Sequence, residues 1–115
     1  MVNVAGSDIR PRPHSSTFGV SKRAMEHLTR YWAVELAPEV RVNAVAPGPT
    51  ATGALERAGL SEEQLERMQE QQTVPLGRSA EPEEIAEWIV RLADSCSDWV
   101  TGQVFPIDGG YNLIE

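Results

Sequence analysis

The sequence predicts an α/β chain: a parallel sheet of about three strands, two main helices and one surface helix. Three observations lead there. Short valine-rich runs at 1–5, 40–46 and 101–107 read as strands. Long stretches between them place apolar residues at helical spacing. The order is strand, helix, strand, surface excursion, helix, strand, and such alternation implies parallel strands joined by right-handed crossovers.

Taken in order, residues 1–5 look like the end of a strand that Gly6 breaks. Two prolines, two arginines and small polar residues make 8–16 a loop. Ser15, Ser16 or Thr17 can cap the next helix, which runs over 18–37 until Pro38 stops it. Val20, Met25, Leu28, Trp32 and Leu36 would line its buried stripe. The second strand ends at Pro47-Gly48-Pro49, which cannot continue a ladder. Residues 50–59 form a loop or short helix. Residues 61–72 make a polar surface helix with only Leu65 and Met68 to bury. A turn at 74–78 leads to a helix over 81–94, where Pro82, Glu83 and Glu84 suit the first turn and its positive dipole end. Ile85, Trp88, Ile89 and Leu92 give its buried face. A loop at 94–98 precedes the last strand, and Asp108-Gly109-Gly110 turns out of it. With no internal repeat and no boundary signal, 1–115 reads as a single domain.

Composition narrows the function. Hydrophobic residues at 41% and charged residues at 23% are ordinary for a globular chain. A net charge of −7 with a pI near 4.8 excludes nucleic acid and an anionic membrane surface as default partners. No apolar run is long enough to span a bilayer, and MVNVAGSD has no signal core. The one cysteine, Cys96, excludes an internal disulfide and a cysteine-built metal site, so a cytoplasmic, reducing location is expected and a metal is not.

Several motifs then fall in series. Lys22 opens the long helix, with an aromatic four positions before it. After it come Val42-Asn43-Ala44-Val45-Ala46-Pro47-Gly48-Pro49-Thr50-Ala51-Thr52, Pro75-Leu76-Gly77-Arg78, Pro82-Glu83-Glu84-Ile85-Ala86, Val100-Thr101-Gly102-Gln103 and Asp108-Gly109-Gly110. In that order and at those distances the series resembles the C-terminal half of a short-chain dehydrogenase/reductase, over nearly the whole chain. The resemblance implies part of a doubly wound, Rossmann-like sheet and an NAD- or NADP-dependent hydride transfer on a small carbonyl or alcohol. It also implies that Met1 stands where the family's fifth strand begins. The family's glycine-rich pyrophosphate turn and first four strands have no counterpart here, so the chain is expected to be truncated relative to the family.

The resemblance carries specific residues with it. The family places a tyrosine and a lysine one helical turn apart: the tyrosine moves the proton, and the lysine tunes it and holds the nicotinamide ribose. Here the lysine position is Lys22 and the tyrosine position is Phe18, whose ring has no proton to give. Tyr31, nine residues beyond Lys22, is about 14 Å along the helix and does not substitute. Tyr111 lies past the last strand. The family's serine comes just after the first strand here. Alignment on Asn3 and counting back from Phe18 disagree by one residue, both fall at Ala5-Gly6, and Ser7 is the neighbouring hydroxyl that partly compensates. Pro47 and Gly48, with Thr50 and Thr52 after them, occupy the positions that contact the nicotinamide carboxamide and phosphate; Pro and Gly also suit an ordinary turn. His14 reads as an exposed loop residue, and His27 is turned off the Lys22 face. Trp32, Trp88, Trp99 and Phe105 read as core or interface.

Two classes of function are open on these grounds. One is an oxidoreductase of the resembled type, impaired in this chain. The alternative is a non-catalytic subunit, or a remnant, acting through a partner. The family builds homo- or hetero-oligomers with the equivalents of helices 18–37 and 81–94 and of the last strand. A sheet open beside its first strand exposes a strand edge, which predicts obligate association or aggregation.

Overall fold

A computed structural model describes residues 1–8, 10–71 and 73–114. Strands β1 (Val2–Val4), β2 (Asn43–Pro47) and β3 (Val104–Ile107) form one parallel sheet in that order. The helices are α1 (Ser16–Glu35), α2 (Ala54–Arg57), α3 (Glu62–Gln71) and α4 (Pro82–Ala93), with 3-10 turns at Ser95–Ser97 and Tyr111–Leu113. No helix among the described residues is long and apolar enough to cross a membrane.

Register fixes which side chains share a face. Val2 pairs with Asn43, Val4 with Val45, and Val45 with Phe105, so these point to one side. That side packs against α4: Val45, Ile85 and Leu92 form the buried cluster, with Val2, Ile89, Phe105 and Ile107 against it. Trp88 of α4 stacks on Phe105 at 6.5 Å between ring centres. Asn3 and Ala44 point to the other side, where Asn3 Nδ2 donates to Thr29 Oγ1 of α1 at 2.9 Å. The two main helices therefore cover opposite faces while the strands step in one direction. The crossovers consequently have opposite hands, and the expectation that both are right-handed fails for one of them. The handedness rule describes most such units, but here the wide excursion of α2 and α3 carries the chain around to the far face before α4.

Helix α1 is rotated from its expected packing. Glu26, Thr29 and Ala33 are buried, whereas Val20 is 68% exposed and Leu28 lies at the surface. Small side chains win because the sheet beneath is alanine-lined, and a Cβ at Gly102 would stand within 3.4 Å of the Ala33 Cβ. Ser15 precedes the helix without capping it; its hydroxyl donates to the Arg12 carbonyl instead. Strand β2 runs one residue past the expected stop and includes Pro47, whose carbonyl accepts from Ser7 N at 3.0 Å. Proline is tolerated at this strand end because its carbonyl still accepts from Ser7 N and the next N–H, that of Gly48, carries the bonding to β3 onward. The α/β reading and the surface character of α3 agree with the structure, Leu65 and Met68 being half-buried. Trp99 is 99% exposed and belongs to no core.

Candidate functional site

The site lies at the carboxyl edge of the sheet, where parallel α/β sheets bind ligands. Three local devices build it. Gly48 N donates to the Ile107 carbonyl at 3.0 Å, keeping the loop after β2 against β3. Ala51 N donates to Ala80 O and Ala80 N to Pro49 O, both at 2.9 Å, which zips that loop to the start of α4. Gly53, at φ +66, then turns the chain into α2, a conformation that favours glycine.

These devices leave a cleft of about 460 Å³, lined by Phe18, Gly48, Thr50, Thr52, Leu55 and Leu65 among others. Four of the sequence-predicted residues thus meet in one place. Phe18, at the tyrosine position, is 61% exposed and forms part of the wall. Lys22 comes one turn later, its ammonium 5.7 Å from the centre of the Phe18 ring. The lysine stem lies along Gly6, within 3.4 Å of where a Cβ would stand. Its Nζ donates to the Val4 carbonyl at 3.5 Å, the outer limit of such a bond.

The remaining predicted residues fall elsewhere. Pro47 ends β2 and acts through its carbonyl. Ser7 is 3% exposed, and its Oγ has no hydrogen-bond partner among the described residues. It is enclosed by the turn at the end of the chain, where Asn112 Nδ2 donates to the Ser7 carbonyl. So Ser7 does not offer its hydroxyl to the cleft. Thr50 Oγ1 is committed to the Gly48 carbonyl at 2.9 Å, which stiffens the loop. His14 is exposed with φ 61, and His27 stands edge-on to Tyr31 at 5.2 Å, away from the cleft. No metal-binding cluster occurs among the described residues.

Pattern in the sequence does not disclose the cleft's outer wall. Leu55 on α2 and Leu65 on α3 line it together with Phe18. Its signal lies in Gly53 and Gly59, both at positive φ, bracketing a four-residue helix. Tyr111 is likewise more than a residue past the last strand. It is buried, bonded at its hydroxyl by Arg12 and covered by the Arg10 guanidinium at 4.8 Å from the ring centre. This polar junction ties the loop after β1 to the chain's last turn.

A nicotinamide cofactor can be tested against these groups by the chemistry of its donors. A ribose diol needs a hydrogen-bond donor, and a carboxamide needs donors and acceptors. Lys22 carries a three-donor ammonium with one long bond, and Thr52 carries an exposed hydroxyl at the cleft wall. The nicotinamide end of the cofactor fits this set.

Comparisons with known proteins show what the chain is similar to. The family model described as Enoyl-(Acyl carrier protein) reductase matches residues 1–112. The chain is 42% identical over 112 residues to a 3-oxoacyl-(acyl-carrier-protein) reductase of Thermotoga maritima, covering 96% of this chain and 44% of that protein. A short-chain dehydrogenase/reductase from Caenorhabditis elegans, solved with cofactor, superposes with TM-score 0.88 at 29% identity, over 99% of this chain and 45% of that one. A small-chain dehydrogenase in complex with NADPH gives TM-score 0.86 at 28% identity, over 98% and 51%. The chain therefore spans about half the length, or less, of the relatives it matches.

Proposed function

Since this chain belongs to the short-chain dehydrogenase/reductase family, we propose that it presents the nicotinamide half of an NAD- or NADP-dependent oxidoreductase site in which the proton-transfer position has been silenced. The observation that carries this reading is Phe18. It stands on the cleft wall one turn before Lys22, where an ionisable hydroxyl is needed and none exists. When bound, the cofactor supplies or accepts a hydride at a carbonyl carbon. Lys22 would hold its ribose, and Thr52, with the backbone at Gly48 and Thr50, would hold its carboxamide. The apolar Leu55, Leu65 and Phe18 surfaces would exclude water from a small carbonyl or alcohol substrate. Neither Ser7, which is enclosed, nor Phe18, which is inert, is placed to exchange the substrate's proton.

The test is a thermal melt of the 115-residue chain with and without millimolar NADH or NADPH. A ligand that binds only the folded form raises the midpoint. A rise with one cofactor, lost in Lys22→Ala, supports the reading; a midpoint indifferent to both would overturn it.

A second reading is a non-catalytic associating subunit. It is favoured by exposed apolar groups on α1 and α4, namely Val20, Tyr31 and Val34 on the first, and Trp88 and Val90 on the second. A homo- or hetero-oligomer formed through these helices and the last strand would cover them, and sedimentation of the chain as a monomer at micromolar concentration would count against it.

A further inference from the structure

We propose that the last turn, Tyr111–Leu113, is a latch that opens locally and uncovers the Ser7 hydroxyl at the carboxyl edge of the sheet. This goes beyond the cofactor reading and needs no nicotinamide. Three buried side-chain polar atoms have no hydrogen-bond partner among the described residues: Ser7 Oγ, Arg10 Nε and Asn112 Oδ1. All three belong to the one junction where the loop after β1 meets the last turn. Asn112 donates to the Ser7 carbonyl, and the Arg10 guanidinium lies 4.8 Å from the centre of the Tyr111 ring. Buried polar atoms are ordinarily paired, because an unpaired one bears the cost of its desolvation. Opening this contact returns the Ser7 and Asn112 oxygens to water, which offsets part of what the opening breaks.

The way the turn is attached points to the same device. Gly109 and Gly110 precede it, at φ +60 and +86. A Cβ on the first would meet Val74 at 2.8 Å, and one on the second would meet Pro75 at 2.9 Å, so this pair is a pinned pivot. Beyond the pivot the turn buries Tyr111, while Leu113 is 86% exposed. Its ties to the loop are polar. Arg12 donates to the Tyr111 hydroxyl, Arg10 Nη1 to the Ile114 carbonyl at 3.3 Å, and Asn112 Nδ2 to the Ser7 carbonyl. Asn112 Nδ2 also donates to Asp108 Oδ2 at 3.0 Å, on the pivot side, so lifting the turn does not strand it. One buried apolar side chain and several exposed hydrogen bonds characterise a unit that opens far below the cost of global unfolding.

Ser7 stands where such an opening has a consequence. It is 3% exposed under the closed turn. Its N–H donates to the Pro47 carbonyl at 3.0 Å, one residue before Gly48 of the cleft wall. Gly6, just before it, lies along the Lys22 stem. Opening therefore adds a hydroxyl, able to donate and to accept, to a sheet edge where Phe18 supplies none.

The test replaces the hidden hydroxyl by a thiol. Ser7→Cys is made together with Cys96→Ser, which leaves one thiol in the chain. Its reaction with 5,5′-dithiobis(2-nitrobenzoate) is timed at rising urea below the unfolding transition. A local opening exposes little surface, so the rate should barely change with urea; labelling through global unfolding rises with the full denaturant dependence. We expect the urea-insensitive regime, and at least about fivefold faster labelling when Asn112→Ala removes the bond to the Ser7 carbonyl. Hydrogen exchange of the unsubstituted chain is the second readout: the Asn112 and Leu113 amides should exchange by urea-insensitive opening while the Val45 amide does not. Labelling that tracks global unfolding, indifference to Asn112→Ala, or last-turn amides as protected as Val45 would overturn the proposal; a junction sealed by a trapped water would give that result. No cofactor is present, so failure of cofactor binding leaves the outcome readable on its own.

Discussion

Gly48 lies so close to Asp108 that a Cβ at position 48 would stand 2.7 Å from both the Cα and the Cβ of Asp108. The strand-end glycine is therefore required by its neighbour's backbone, since its own φ is not in the left-handed region. Gly48→Ala must push the turn after β3 outward. We expect a loss of about 1–3 kcal/mol, as for other overpacked sites, in the stability of the 115-residue chain measured by denaturant titration.

Asn43 is fully buried, and both ends of its amide are used. Its Nδ2 donates to the Val100 carbonyl at 2.9 Å, and its Oδ1 accepts from Gln103 N at 3.1 Å. Asn43→Ala leaves the Gln103 N–H without this partner, while the Val100 carbonyl keeps its bond from Arg41 at 3.2 Å. The expected cost is about 1–3 kcal/mol for the stranded N–H, and Asn43→Asp should not rescue the Val100 contact because a carboxylate cannot donate. Urea titration of the three chains checks this.

Arg41 gathers the end of α4. Its guanidinium donates to the carbonyls of Leu92 (3.0 Å), Asp94 (3.2 Å) and Val100 (3.2 Å) and to Ser97 Oγ (3.2 Å). It serves as a C-cap delivered from a remote segment, answering carbonyls that a helix end leaves unpaired. Arg41→Lys keeps the charge but not the fork. It should retain less than half of the roughly 1.5–3 kcal/mol that Arg41→Ala removes, measured by chemical denaturation.

Arg78 meets Glu84 in a two-bond fork, each bond 2.7 Å. These bonds, with the Glu81 N–H as a further donor, hold the Glu84 carboxyl at about 2, below its ordinary 4.5. A depressed carboxyl stabilises the fold above its unfolded value. That contribution should be complete above pH 4.5 and fade as pH falls toward 2. Glu84→Gln should flatten this part of the pH–stability curve, and added salt should shrink it because the pair is exposed.

The sequence was legible where one physical signal decided the outcome. Pro38 and Pro82 mark helix ends because proline cannot serve inside a helix, and the valine runs mark strands. The meeting of Phe18 with Gly48, Thr50 and Thr52 is legible only through the family that the motif series resembles, which implies that these positions share one sheet edge. The packing of α1 is not, since counting apolar residues cannot reveal that an alanine-lined sheet prefers Thr29 and Ala33 to Val20 and Leu28. Nor can the enclosure of Ser7 be read, because it depends on Asn112 at the other end of the chain. The opposite hands of the two crossovers escape for a related reason: handedness is a property of the whole path, and no local residue encodes it.

Strand β2 is the central strand, shared by both half-cores. Ala44 and Ala46 serve the α1 side, while Asn43, Val45 and Pro47 serve the α4 side. A one-residue insertion or deletion here would exchange the two sets, sending valine into a gap cut for alanine and alanine into a gap cut for valine. Residues 43–47 therefore behave like a reading frame. Substitutions within them are graded faults, but a single-residue length change garbles both faces at once, and tolerated length variation should collect in 50–71, where the chain answers to neither face.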